Sequence, residues 1–289
     1  MVENQPKSDV DPLQDESRSW KHSAAISLLG EDRARALSYR YAGLQAWRNQ
    51  TFTSAGRVNR DYIRRFRDKY VGRRCVIIGN GPSLRRTDLR LLRNEITFGL
   101  NRIYLMFDEL GFETTFHVVV NQLVVEQCAD DFRKINAPLF TITSNKPYLQ
   151  GASNTAFLTD LPGPKFFRDA SHGIWVGGTV TYVAMQLAYY MGFTEVILVG
   201  VDHRFAVKGP ANEVIVSREP DASHFDPNYF GVGFKWQLPD LETSEIAYGL
   251  ARREFETAGR RIVDATVDGA LAVFPKVSLD AALNRGGLL

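Results

Sequence analysis

The chain lacks most of the features that mark a specialised class. Its 289 residues hold two cysteines, Cys75 and Cys128, far apart and each in apolar surroundings. That pattern fits neither a disulfide framework nor a zinc site, and it points to buried free thiols in a reducing compartment. No charge of one sign dominates: 35 Lys and Arg stand against 33 Asp and Glu, a net +2. The totals therefore give no reason to expect nucleic acid as a partner. The longest apolar helical run, YVAMQLAYYMGF, is too short and too interrupted to span a bilayer. The N-terminus MVENQPKSDVDPLQDES is polar, without the apolar stretch of a secretory signal. There is no internal repeat, no low-complexity tract and no GxxxxGK[ST] phosphate loop, so a P-loop ATPase is disfavoured. These absences predict a soluble, cytoplasmic protein.

What is present is an ordinary globular composition, 44% hydrophobic and 24% charged, enough for a full core. Residues 1 to about 16 are polar and expected to be disordered; helical material follows from about Ser17 to Asn49, and NRDYIRRFRDKY, with Tyr62, Phe66 and Tyr70 at four-residue spacing, is a second helical piece. Arginine is frequent from Arg33 to Arg74. A solvated basic helix face explains that run; peripheral contact with an anionic surface, such as an inner membrane face or an acidic partner, is the functional alternative. After Val71 the texture changes to short apolar runs alternating with helical segments: CVIIG (75–79), ITFGLN (96–101), TFHVVVN (115–121), PLFTITS (138–144), TAFLTD, EVILVGVD (195–202) and RIVDAT (261–266). Helices are expected over 177–192 and over 241–259, the second with a capping box at Thr243 or Ser244. Continuous rather than alternating apolar strands predict a mostly parallel sheet covered by helices on both faces, an α/β fold. The predicted division is 1–66, a polar tail and helical extension, and 67–289, a nucleotide-binding catalytic domain with a lid over 203–240.

In such a sheet, ligands bind at the C-terminal strand ends. The first strand runs into Gly79-Asn80-Gly81-Pro82-Ser83; others end at Asn101, at Asn121 and at Asp202-His203-Arg204. Turns also favour Asn and Asp, so any one position is weak evidence and the set is stronger. Gly79 and Gly81 suit positive φ and close approach of a ligand, and Ser83 with the following amides suits a phosphate. A dinucleotide loop would carry a third glycine where Leu84 stands, so NAD and FAD are not expected. Gly177-Gly178 and Thr179 open a second helix N-terminus; a close helix-to-sheet contact is the plain alternative. The long segment 200–242 reads as a lid. In it His224 lies between Asp221 and Asp226, an arrangement suited to a general base. Lys208, Arg218 and Lys235 are candidates to neutralise a leaving phosphate, and Tyr229 to donate a hydrogen bond to it. Asp202, His203 and His224 match no metal-ligand spacing, so no metal site is expected.

VIIGNGPSL (76–84), GLN (99–101), VVN (119–121), GGTVTYVAMQLAYYMGFTEVILVGVD (177–202) and SHF (223–225) occur in an order that resembles two related groups. One is the DUF115 or MptE-like family, named for 6-hydroxymethylpterin diphosphokinase. The other is the bacterial family 42 sialyltransferases. The resemblance covers roughly 70–280 and implies a Rossmann-like domain. Likeness to the sialyltransferases implies that Asn80, Gly81, Ser83, Asn101 and Asn121 hold a CMP-linked donor and that His224 is the base. Arg204 and Phe205 stand near the places where that family has phosphate-binding tyrosines. The reading is a glycosyltransferase-like enzyme for surface glycans, with a nucleotide-sugar donor, a glycan or small-molecule acceptor and no required cofactor. Its site would comprise His224, Arg204 and Lys208 for catalysis, with Gly79, Asn80, Gly81, Ser83, Asn101, Asn121, Gly178, Thr179 and Asp202 for the nucleotide. The alternatives are an MptE-like pyrophosphokinase needing ATP and Mg²⁺, with Asp202 and Asp240 on the metal, and a non-catalytic nucleotide-binding module.

Overall fold

The computed structural model describes Tyr41, Gln45, Arg48 and residues 52–284 apart from Ser153 and Lys208. Two compact units divide the chain, residues 1–48 and 49–289. Of the first, the three described residues are helical and exposed, and the tail and most of the helix expected before residue 50 lie outside the described residues.

The second unit is built on strands β1 (Arg74–Ile78), β2 (Thr97–Leu100), β3 (Phe116–Val118), β4 (Leu139–Ile142), β5 (Thr155–Leu158), β6 (Glu195–Val199), β7 (Val214–Val216), β8 (Lys235–Gln237) and β9 (Arg261–Asp264). Seven of them form one sheet in the order β5-β4-β3-β2-β1-β6-β9, and every pairing is parallel. This is the expected doubly covered α/β sheet. Each strand begins or ends within a few residues of its apolar run, because buried parallel strands cannot afford polar interruption. The antiparallel pair β7–β8 was not expected. Three-residue strands inside a lid rich in breakers leave no readable periodicity.

The helices are α1 (Ser54–Arg64), α2 (Phe107–Leu110), α3 (Gln122–Gln127), α4 (Ala129–Lys134), α5 (Val180–Tyr190), α6 (Leu241–Thr257) and α7 (Leu279–Asn284). Successive side chains of a strand point to opposite faces. Cys75 and Ile77 accordingly pack with Ile63 by α1 and with the buried residues of α5 and α6. Val76 and Ile78 pack on the other side with Val124, Phe132, Leu279 and the lid residues Phe225, Tyr229, Phe230 and Trp236. The lid is thus anchored by buried aromatic rings.

α1 belongs to the sheet unit. The Asn59 side chain donates to the Phe157 carbonyl and accepts from the Phe157 amide, both at 2.8 Å, so it acts as a strand partner along β5. Tyr62 adds a bond to the Asn154 carbonyl at 3.1 Å. α6 starts one turn earlier than the expected box: Asp240 is its cap, accepting from the Thr243 amide at 3.0 Å, while Ser244 Oγ turns back to the Asp240 carbonyl.

His117 on β3 is fully buried. Its Nε2 lies 2.6 Å from the Asn101 carbonyl, to which it donates, and Nδ1 has no partner among the described residues. Burial pushes this imidazole down to about 4 from its ordinary 6.5. An unfolded histidine takes up a proton below about 6.5 and the folded one does not, so stability rises with pH between the two values. Acidification from 6.5 toward 4 is expected to remove up to about 3 kcal/mol. Urea midpoints between pH 7 and 5 should fall more steeply for the wild type than for His117→Gln; equal slopes would contradict this.

Candidate functional site

β1 and β6 pair in register from Arg74↔Glu195 to Ile78↔Val199, so their two chains leave the sheet side by side. After β1 the chain turns toward β2, and after β6 it turns toward β9. That divergence opens the crevice in which such sheets bind ligands. A cleft of about 620 Å³ lies there, lined by Gly79, Asn80, Gly81, Asn101, Asn121, Gly178, Thr179, Asp202, Arg204 and His224 among others. Ten of the twelve expected site residues therefore share one cleft. Lys208 lies outside the described residues. Ser83 does not line the cleft.

The loop after β1 departs from expectation. Ser83 is fully buried. Its amide donates to Asp202 Oδ1 at 3.1 Å and its hydroxyl to Asp202 Oδ2 at 2.6 Å. The anion held at this turn is a carboxylate of the protein itself. The glycines follow the same logic. Gly81 has φ −71°, and Gly79 is not among the positive-φ residues, so neither needs left-handed backbone. A Cβ at Gly81 would sit 1.8 Å from Asp202 Oδ2, and one at Gly79 would sit 2.3 Å from the Gly200 carbonyl oxygen. These glycines admit the neighbouring strand end. The turn that follows, Pro82–Arg86, is a single short 3-10 segment.

Two asparagines at the strand ends behave differently from the third. Asn80 and Asn101 each carry a buried side-chain oxygen with no partner among the described residues. Asn101 also adopts φ +44°, a left-handed conformation that asparagine tolerates. Asn121 is instead the cap of α3: its Oδ1 accepts from the Leu123 and Val124 amides at 3.0 and 3.3 Å. Asn121 thus has a local structural task while also lining the cleft.

At the second helix start, Gly177 and Gly178 do take positive φ, +60° and +73°. Gly177 also meets Tyr182 and Ala247 closely, so helix packing requires it. Gly178 is exposed on the cleft. Thr179 caps α5, accepting from the Thr181 amide at 3.3 Å, and stands 3.3 Å from the Tyr248 hydroxyl. This longer helix, of 11 residues, presents its N-terminus to the cleft.

The lid supplies the titratable groups. His224 Nδ1 lies 2.7 Å from Asp221 Oδ2, and the ring stacks on Tyr229 at 4.0 Å between centroids and 9° between planes. Asp221 also accepts from the Ser223 and Phe230 amides at 2.7 and 3.2 Å. Burial pushes the Asp221 carboxyl up, but the bond to His224 and the two amides outweigh it and hold it below the usual carboxylate range. An ionised Asp221 accepts the Nδ1 proton and leaves Nε2 as the basic nitrogen. Asp226 takes no part in this pair; it caps a local turn through the Asn228 amide. Tyr229, expected to donate toward a phosphate, is fully buried beneath the His224 ring. His203 faces Glu245 at 3.0 Å rather than His224. Arg204 is exposed on the cleft with no hydrogen-bond partner among the described residues, whereas Arg218 and Lys235 do not line it. Among the described residues, no group of three or more His, Cys, Asp or Glu is arranged to hold a metal ion, and no helix is long and apolar enough to cross a membrane.

No curated protein matches this chain. Among solved structures, it is similar to the MAf glycosyltransferase from Magnetospirillum magneticum AMB-1, with 14% identity and a TM-score of 0.47. That similarity covers 76% of this chain and 38% of the other. A likeness at this level says nothing of residue roles. A family model described as 6-hydroxymethylpterin diphosphokinase MptE-like matches residues 49–208, from α1 through β6 and into the start of the lid but short of His224, and the chain belongs to the MptE-like family.

Proposed function

We propose that the protein is a transferase that binds a nucleotide-linked donor in this cleft and activates a hydroxyl acceptor with His224. The observation that carries the reading is the partly buried Asp221–His224 pair on the cleft wall, its Nε2 unoccupied by any described partner. In the favoured form the donor is a CMP-linked sugar. The acceptor oxygen attacks the anomeric carbon as the bond to the phosphate oxygen breaks. His224 Nε2 takes the acceptor proton, and the nucleotide leaves with the negative charge. Arg204, without a hydrogen-bond partner among the described residues, offers a cation for that charge, and α5 turns the positive end of its dipole toward the cleft. Lys208 and Asp202 complete the proposal, the first as a second cation and the second as the carboxylate that shapes the loop under the donor.

The family's named activity motivates a second reading, transfer of diphosphate from ATP to a pterin-type alcohol. The same base would serve it. Its Mg²⁺ would fall to Asp202 and Asp240, yet those carboxylates fit a metal poorly. Both oxygens of Asp202 accept from Ser83. Asp240 accepts from the Thr243 amide and hydroxyl and from Asn212. The donor sets favour the sugar reading, in which arginine and the dipole of α5 neutralise the phosphate.

Calorimetric titration with CMP, UDP, GDP and ATP, each with and without Mg²⁺, separates the readings. CMP binding without metal is expected. Binding of ATP alone, and only with magnesium, would overturn the sugar-donor form. Tight nucleotide binding with no turnover on any acceptor would leave a binding module.

A further inference from the structure

Arg102, at the end of β2, is a cation without a counter-ion: no carboxylate lies within ion-pair distance of it among the described residues. Its side chain is nonetheless largely withdrawn from water, packed over the rings of Phe234 at 5.1 Å and Tyr229 at 5.7 Å. Burying a cation is costly unless its protons are bonded. Here the Nη1 protons go to the lid. Nη1 donates to the Tyr229 carbonyl and to the Asn228 carbonyl, the latter at 3.2 Å, and Nε donates to the Tyr104 hydroxyl at 3.1 Å. The Arg102 amide points at the Tyr229 hydroxyl, 3.4 Å away.

A second arginine, exposed and ion-paired with Glu109, also reaches the lid. Arg85 Nε donates to the Phe225 carbonyl at 2.9 Å, and the guanidinium lies 5.8 Å from the Phe225 ring centroid. The Phe225 amide donates to the Asn80 carbonyl at 2.9 Å. His224 sits between these two attachments. Its neighbour Phe225 is tied to the loop after β1, and the ring on which it stacks, Tyr229, is tied to the end of β2.

We propose that Arg85 and Arg102 are positioning residues that hold the lid against the strand ends and thereby fix the His224 ring over the cleft. The claim rests on the reading of His224 as the base. Neither arginine touches the reacting atoms. Each acts through lid carbonyls, and arginine suits this because its planar fork of donors reaches two acceptors at once. The loop GNGPSL then has a task other than cradling phosphate. One of its carbonyls and the arginine that follows it locate the catalytic histidine.

The test reads the ring directly. The chain has five histidines, so their ring proton–carbon signals in uniformly labelled full-length protein are few, and His224→Gln identifies the one of interest. In the wild type, stacking on Tyr229 should displace that signal upfield. Arg102→Gln and Arg85→Gln should each reduce the displacement, and Arg102→Lys should restore part of it. The signal of His172, which is paired with Asp169 and has no contact with either arginine among the described residues, should hold its place. Turnover should fall roughly 10- to 100-fold in kcat with donor KM little changed, the range seen when a catalytic group is misplaced by about an ångström. Unmoved His224 signals in both glutamine variants would overturn the proposal. Should Arg102→Gln fail to fold, Arg85→Gln and Arg102→Lys carry the same readout. Moved signals combined with full turnover in His224→Gln would uphold the clasp and remove the general-base reading, so the two failures are distinguishable.

Discussion

His224→Gln is expected to lower turnover by about two to four orders of magnitude, the range for loss of a general base, while leaving nucleotide affinity within a factor of a few. The size of the effect follows from how the ring is held. Asp221, kept ionised by its two backbone amides and the histidine, accepts the Nδ1 proton. Tyr229 supports one face of the ring and Phe230 meets it edge-on, 4.9 Å between centroids. A glutamine can keep the bond to Asp221 but cannot take a proton. Stability should change little, and steady-state kinetics beside calorimetric binding separates the two effects. Full turnover in the variant would end the assignment. Weak turnover together with lost binding would place His224 in donor recognition instead.

Gly81→Ala should be the most damaging small substitution in the cleft. The added methyl would lie 1.8 Å from Asp202 Oδ2 and 2.4 Å from Asp202 Cγ, far inside contact distance. The carboxylate cannot swing aside without releasing the Ser83 amide and hydroxyl. Overpacking costs about 1–3 kcal/mol and a hydrogen bond to a charged group about 1.5–3 kcal/mol, so a loss of about 3 kcal/mol is expected. The mechanism has a specific signature. In an Asp202→Gly background the obstacle is gone, and Gly81→Ala should cost much less there. Urea unfolding of the four proteins in this cycle measures the coupling. Equal cost in both backgrounds would contradict the account. A negligible stability cost combined with lost nucleotide binding would instead favour the expectation that Gly81 exists to let a ligand approach.

That contrast shows what the sequence could and could not reveal. The strands were legible because seven buried parallel strands require uninterrupted apolar runs, and CVIIG or EVILVG permit little else. The cleft was legible for a related reason: strand ends in such a sheet converge, so Asn80, Asn101, Asn121 and Asp202 had to meet. What each polar group does once there was not legible. Asp202 and Ser83 are 119 positions apart, Arg85 and Phe225 are 140, and Arg102 and Tyr229 are 127. No local window joins such pairs, and a glycine next to a phosphate reads the same as a glycine next to an aspartate. Asn121 could have been recognised, since asparagine immediately before a helix is a common cap. The Asp221–His224 spacing was a local signal, and the two side chains do meet.

The division of the chain has a similar origin. α1 carries exposed arginines and resembles a free basic helix, yet its inward residues, Asn59, Tyr62 and Ile63, fasten it to β5 and to the core. Two amide-like bonds from one asparagine side chain are invisible to any periodicity. The family match also begins at residue 49, with this helix inside it.

The central claim is that this cleft transfers a group from a nucleotide-linked sugar rather than from ATP. Phosphorus NMR of the wild-type protein incubated with a CMP-linked sugar or with ATP and Mg²⁺, each with a hydroxyl acceptor, tests it most directly. The account predicts release of CMP without added metal, abolished in His224→Gln. Release of AMP from ATP, dependent on magnesium and with the CMP-sugar untouched, would contradict it.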